Sequence, residues 1–239
     1  MPVGSRGRAG SLRAMELEPR LLTVAAPASA AGVVLVLHGG AGRRSRARVS
    51  PAQLSVLRMI PTARRAARVG RGALAVFRLL NARRGWDTEH TPVRDAHWAL
   101  DRIAERLGHA LPTCLVGHSL GGRAAILSAD RPEVRSVAAL AAWVYPTDVP
   151  DGVAGRSFLF VHGAEDRVAR PERSAELARA LAERAEVTYV TVRGARHAML
   201  AHGRTFDRLA AEFASATLLG TPASPTVDRA LHGERWITV

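Results

Sequence analysis

Apolar residues fall into two patterns along this chain. Short runs that are apolar at nearly every position predict strands buried on both faces: Gly32–Leu37 (G-V-V-L-V-L), Ala73–Leu80 (A-L-A-V-F-R-L-L), Ser136–Val144 (S-V-A-A-L-A-A-W-V) and Ser157–Val161 (S-F-L-F-V). Leu21–Ala25, the run ending at Val116 and Glu186–Val192 add further strands. Between them lie stretches whose apolar residues recur three and four apart. In Thr91–Leu107, Val93, Ala96, Leu100, Ile103 and Leu107 share one helical face, Thr91-Pro92 opens the helix and Gly108 ends it. Pro171–Arg184 and His202–Leu218 predict two more helices. Ser50-Pro51 opens another that runs to about Val69, with Pro61 expected to kink or split it.

Strands that alternate with helices predict an α/β fold, with a mostly parallel central sheet and helices on both faces. The length of 239 residues, 47% of them hydrophobic, suits one such domain with a sizeable core. Residues 16–219 are expected to form it. Residues 1–15, rich in Arg and Gly, are expected to be disordered, and Met15 is a candidate for the true start. Residues 220–239 contain an apolar patch at Trp236-Ile237 and are left unassigned. No run of about 18 apolar residues occurs, so no membrane span is expected, and the N-terminus does not read as a secretory signal. The single cysteine, Cys114, excludes an internal disulfide and points to a reducing, cytoplasmic setting.

The net charge of +13 is unevenly spread. Residues 1–85 carry 16 Arg against Glu16 and Glu18, whereas the rest is nearly balanced. Arg43, Arg44, Arg46 and Arg48 fall in one loop, and Arg58, Arg64, Arg65, Arg68 and Arg71 follow in the next helix. Such a face can concentrate anionic ligands, although a solvated surface is the simpler reading. The chain has no lysine, which is most simply a coding bias of a GC-rich genome.

The chemistry centres on Thr113–Arg123, T-C-L-V-G-H-S-L-G-G-R. The end of a buried strand meets G-x-S-x-G, and a small-residue helix follows, which is the context a nucleophile elbow requires. A serine on so sharp a turn has a strained backbone, and its neighbours two before and two after must let strand and helix pass closely. Its hydroxyl then sits at a helix N-terminus, where backbone N–H groups favour negative charge. His38-Gly39-Gly40, Asp166 and His197 also fall at predicted carboxyl ends of strands, where ligands bind in parallel sheets.

L-V-L-H-G-G (35–40), V-G-H-S-L-G-G (116–122), V-H-G-A-E-D-R-V (161–168) and G-A-R-H-A-M (194–199) together resemble the α/β-hydrolase fold superfamily, in its Ser…Asp…His order. The resemblance covers roughly residues 17–218. It implies that Ser119 is a nucleophile, His197 its general base and Asp166 the residue that orients the imidazole. It places the oxyanion hole at the backbone N–H of Leu120 with that of Gly40 or, second, Ala41. Asp148 and Asp151 are rival acids and His202 a rival base. His38 and His162 precede glycines at strand ends, where an imidazole more often satisfies loop backbone, and His118 is read as packing. The short Tyr145–Gly155 connection leaves little or no room for a cap domain. Trp143 and Tyr145 are candidates to line the substrate pocket, with core packing as their default. Serine at the elbow argues against dienelactone hydrolases, which use cysteine, and against dehalogenases and epoxide hydrolases, which use aspartate. Cys114 reads as an inert core thiol. No histidine or cysteine spacing suggests a metal, and no cofactor is expected.

These readings converge on a serine hydrolase that cleaves a small-molecule carboxylic ester or thioester through an acyl-enzyme. A nucleic-acid partner is not expected, and the oligomeric state is open. The alternative is a non-catalytic protein on the same scaffold that uses its Arg-rich residues 1–85 to bind anions.

Overall fold

The computed structural model describes residues 17–40 and 47–239. The expectations for residues 1–15, and those for Ala41, Arg43, Arg44 and Arg46, lie outside the described residues. The elements follow in chain order. Strands β1 (Arg20–Ala25) and β2 (Gly32–Leu37) lead to helices α1 (Leu54–Leu57) and α2 (Met59–Val69). Next come β3 (Leu74–Leu80), α3 (Thr91–Leu107), β4 (Thr113–His118), α4 (Leu120–Leu127) and β5 (Val134–Leu140). The chain ends with β6 (Ser157–Gly163), α5 (Pro171–Leu181), β7 (Glu186–Val192), α6 (Gly203–Leu219), α7 (Pro225–Leu231) and β8 (Trp236–Thr238).

The strands form one eight-stranded sheet in the order β1-β3-β2-β4-β5-β6-β7-β8. Only β1 runs antiparallel to its neighbour; every other pairing is parallel. The apolar runs of the sequence explain this burial on two faces. Val33, Leu35 and Leu37 of β2 belong to the core layer that also takes in α3, α4 and α5, while Val34 and Val36 belong to the layer of α2 and α6. From β2 the chain moves to β3 on one side; from β3 it returns past β2 to β4 and steps the other way. The carboxyl ends of β2 and β4 therefore flank a crevice that no crossover covers, the place where such sheets bind ligands.

Three elements differ instructively from the sequence reading. The helix expected over residues 51–69 is split at Arg58, one turn ahead of the proline: Pro61 has no N–H to give the Leu57 carbonyl, and it sits in the first turn of α2, where none is needed. The strand expected to reach Val144 stops at Leu140. Residues 141–144 are as apolar and mostly as buried as a strand, but Ala141 takes a positive φ of 43° and the Trp143 N–H turns to the Ser119 carbonyl. The unassigned residues 220–239 form α7 and end in a strand of the same sheet, since β8 pairs with β7 and buries Ile237, one half of the apolar patch. The connection over residues 141–156 carries no inserted helix or strand, so the described residues contain no cap at this point.

Asp95 of α3 is buried and accepts the Ala82 N–H at 2.8 Å, which fixes the loop after β3. Burial pushes its carboxyl up to about 6 from an ordinary 3.8, so as pH rises the unfolded chain releases this proton first and stability falls between those values. Asp95→Asn keeps an acceptor for the Ala82 N–H and removes the charge. It is expected to be more stable than the wild type by about 1–2 kcal/mol at about pH 8, with the gain vanishing below about pH 4, when thermal unfolding is followed at both.

Candidate active site

Ser119 occupies the single residue between β4 and α4, with φ 55° and ψ −118°, a conformation that costs about 1–3 kcal/mol and persists only when its surroundings enforce it. They do so from both sides. The Ser119 N–H donates to the Leu140 carbonyl at 3.0 Å, and its own carbonyl accepts from Trp143 at 3.1 Å and Arg123 at 3.2 Å. A Cβ on Gly117 would overlap the Gly121 carbonyl, and one on Gly121 would lie 2.6 Å from the carbonyl oxygens of Leu37 and His38. The two outer glycines of the motif are thus where strand and helix touch.

Three residues from three loops meet here. Ser119 Oγ lies 2.9 Å from His197 Nε2, and His197 Nδ1 lies 2.8 Å from Asp166 Oδ2. The Asp166 carboxylate is fully buried. Its Oδ1 accepts the N–H groups of Val168 at 2.8 Å and Ala169 at 2.9 Å, while Oδ2 also faces His162 Nε2 at 3.1 Å. Burial alone would raise this carboxyl. The hydrogen bonds from His162 and His197, with the Ala169 amide, outweigh it and hold Asp166 well below the usual carboxylate range. An anion at this point favours the His197 tautomer with its proton on Nδ1, which leaves Nε2 free to accept from the serine.

The base loop is tied down by its neighbours. The Glu165 N–H donates to the Ala195 carbonyl at 3.0 Å, linking acid and base loops. His118, read from the sequence as packing, donates Nε2–H to the His197 carbonyl at 3.0 Å, and the two rings lie 5.1 Å apart. Burial, followed by the nearby His197, pushes His118 down to about 3, so its imidazole is neutral. The elbow residue beside the serine therefore holds the backbone of the histidine that faces it.

His38 acts on the other side of the crevice. Its Nδ1–H donates to the Gly39 carbonyl at 2.6 Å, and its Nε2 accepts the Asn81 N–H at 3.2 Å. Carbonyl and amide of one peptide point in opposite directions, so this grip on Gly39 also sets where the Gly40 N–H points. Among the described residues, neither the Gly40 nor the Leu120 N–H is committed to a protein acceptor. The two residues are close: a Cβ on Gly40 would lie 3.2 Å from Leu120 Cδ1.

The rival residues go elsewhere. Asp148 forms a buried pair with Arg123 at 2.7 Å and accepts the Tyr145 N–H at 2.8 Å. Asp151 is exposed beside Arg184 at 3.5 Å, and His202 begins α6. Trp143 is half-buried and meets Tyr145 edge-on at 5.5 Å. The Arg123 guanidinium stacks 4.1 Å from Trp86 and 4.9 Å from Tyr145, which fixes an aromatic wall on the elbow helix. Cys114 is buried and its thiol is pushed up to about 12 by burial, as expected of a packing residue. Several arginines of the basic stretch are engaged internally: Arg58 with Asp207, Arg65 with Glu212, Arg83 with Asp87, and Arg78 on the Val56 carbonyl. Among the described residues, no cluster of His, Cys, Asp and Glu is arranged to hold a metal. No helix of the described residues is long and apolar enough to cross a membrane.

Sequence reasoning missed the contact of His162 with Asp166 and the contact of Arg123 with its aromatic neighbours. His162 stands in β6 and Asp166 in the loop beyond it, so their spacing carries no helical signal, and Trp86 and Tyr145 lie far from Arg123 in the chain.

No family model matches this chain, and no curated protein resembles it in sequence. Solved structures do resemble it. A serine hydrolase without a lid from Xanthomonas campestris superposes with a TM-score of 0.60 at 16% identity, covering 86% of this chain and 97% of that one. A protein of unknown function from Agrobacterium tumefaciens gives 0.60 at 17% identity, with 90% and 92% covered. A hyperthermophilic esterase from Pyrobaculum calidifontis gives 0.58 at 16%, with 84% and 81% covered. The chain has the α/β-hydrolase fold.

The neutral state of His118 has a measurable consequence. Unfolded, it takes up a proton below an ordinary 6.5; folded, it does not until about 3, so stability falls as pH drops between them. His118→Gln keeps a donor for the His197 carbonyl and cannot titrate. Urea unfolding between about pH 6 and about pH 4 is expected to show a shallower loss than the wild type, by about 1.4 kcal/mol per pH unit.

Proposed function

We propose that this chain is a serine hydrolase that cleaves carboxylic esters or thioesters of small acids through an acyl-enzyme. The observation that carries the reading is the continuous contact from Ser119 Oγ to His197 at 2.9 Å and from His197 to the buried Asp166 carboxylate at 2.8 Å. A serine hydroxyl is too weak an acid to attack a carbonyl unaided. Here His197 Nε2 takes its proton as Oγ bonds to the carbonyl carbon, and the Asp166 anion stabilises the imidazolium that results. The carbonyl oxygen becomes an oxyanion within reach of the Leu120 and Gly40 N–H groups at the start of α4 and the end of β2. When the intermediate collapses, His197 returns the proton to the leaving alkoxide or thiolate, and the acid stays bonded to Ser119. Water then attacks the acyl carbon, gives its proton to His197, and Ser119 is released with that proton.

Two features support a compact substrate. Among the described residues no inserted element covers the crevice, so they would sequester little of a large ligand. Trp143 and Tyr145, braced by Arg123, form the wall against which an acyl or alcohol group would rest. The anion-binding alternative is less well supported, because Arg58, Arg65 and Arg83 are paired with carboxylates of the chain itself.

A fluorophosphonate probe and p-nitrophenyl acetate test this reading together. Wild type is expected to label and to turn over. Ser119→Ala should abolish labelling, His197→Ala should lose at least about 1000-fold in kcat, and Asp166→Asn about 10,000-fold, because the amide no longer holds the required tautomer. Folded wild type that neither labels nor turns over would rule the proposal out.

A further inference from the structure

Asp166 carries one imidazole more than its proposed task requires. His162, at the end of β6, is 1% exposed and directs Nε2 at Asp166 Oδ2 (3.1 Å) and at the Ala169 carbonyl (2.9 Å). A carbonyl can only accept, so Nε2 carries the proton and its N–H is shared between the two oxygens. At the other nitrogen, Ser174 Oγ lies 2.8 Å from Nδ1 and 3.0 Å from the Pro171 carbonyl, and the hydroxyl of Tyr189 lies 3.0 Å from Ser174. The Tyr189 ring also lies nearly parallel to that of His162, with centroids 6.4 Å apart. The ring is therefore fixed in plane and in tautomer, and its donor is aimed at the oxygen that His197 uses.

We propose that His162 is a positioning residue that competes with His197 for Asp166 Oδ2 and thereby lowers the basicity of His197. The proposal rests on the reading of Asp166 and His197 as orienting acid and base. The geometry fixes its sign. Oδ1 is held by two backbone N–H groups, from Val168 and Ala169, which do not depend on His162. Loss of the His162 donor therefore leaves the carboxylate in place and gives all of Oδ2 to His197. A carboxylate that shares its charge with one donor fewer attracts the His197 imidazolium more strongly. The other titratable and charged groups around this centre are His118 and Arg58 on the elbow side, Tyr189 on β7, Glu172 and Arg179 on α5, and the exposed Glu165–Arg196 pair at 3.4 Å.

The test reads the imidazole itself. The full chain, labelled with nitrogen-15 histidine, is titrated by NMR as wild type, His162→Leu and His162→Gln, with His197 assigned by its loss in His197→Ala. Two imidazoles on one carboxylate titrate as a coupled pair, so the midpoint of the His197 resonances is compared among variants. In His162→Leu that midpoint is expected to rise by about half a pH unit or more, about a threefold gain in basicity. In His162→Gln, whose side-chain amide can replace the Nε2 donor, it should stay within about 0.2 unit of wild type. His162→Asn, too short to reach Oδ2, serves as the donor-free variant if leucine prevents folding. Equal midpoints in wild type and the donor-free variant, or a fall in the latter, would overturn the proposal and leave His162 a structural residue. Because the readout does not need turnover, a wild type without Ser119-dependent hydrolysis would count against the proposed function alone.

Discussion

The site depends on a steric constraint, the close crossing of β4 and α4. The Gly117 and Gly121 backbones touch there, and Gly121 in turn presses on the carbonyls that end β2. Nothing larger than hydrogen fits at these two positions. Ser119 is left at the apex with an unfavourable φ, held by hydrogen bonds to Leu140, Trp143 and Arg123. The same crossing explains why β5 stops early: the Trp143 amide that would extend the strand is used to brace the elbow. Strain at the serine is stored by the sheet, and the sheet can store it because β2, β4 and β5 are buried on both faces by the helices of the fold.

Around this crossing, the fold places buried imidazoles as fasteners. His38 grips the peptide that carries the Gly40 amide, His118 grips the carbonyl of His197, and His162 grips Asp166. Imidazole suits all three positions because it donates with one nitrogen and can accept with the other, and burial suppresses its charge at His38 and His118. A lysine or arginine there would bring a charge that such surroundings could not solvate. The centre thus carries a buried anion, Asp166, that accepts from the Val168 and Ala169 amides and faces the His162 and His197 rings. The aromatic wall is built by the opposite logic, since Arg123 is fully charged, and it is tolerated because Asp148 pairs with it and Trp86 and Tyr145 cover its faces.

Much of the fold follows from local pattern. Buried strands such as β2 and β6 read directly from continuous β-branched and aromatic runs, and α3 from its apolar face and closing Gly108, which takes the expected left-handed conformation. Errors fell where two structures share one pattern. Residues 141–144 are apolar whether they extend a strand or turn beneath the elbow, and the three residues of β8 are too few to show any period. Ser119, Asp166 and His197 stand out as candidates because each lies two or three residues after a glycine at a strand's carboxyl end. Their contacts were not legible.

The sequence by itself determined that strands alternate with helices, that the sheet is mostly parallel, that no cap is inserted, and that a serine stands on a sharp turn at the sheet's carboxyl edge. These are consequences of side-chain size and period over a few consecutive residues. Tertiary structure alone decided that Asp166 rather than Asp148 meets His197, and that three histidines with unremarkable spacing hold the loops. It also decided that residues 220–239 complete the sheet. Asp166 with His197, Asp148 with Arg123 and His118 with His197 are far apart in the chain, and hydrogen bonds select partners by distance and direction in space.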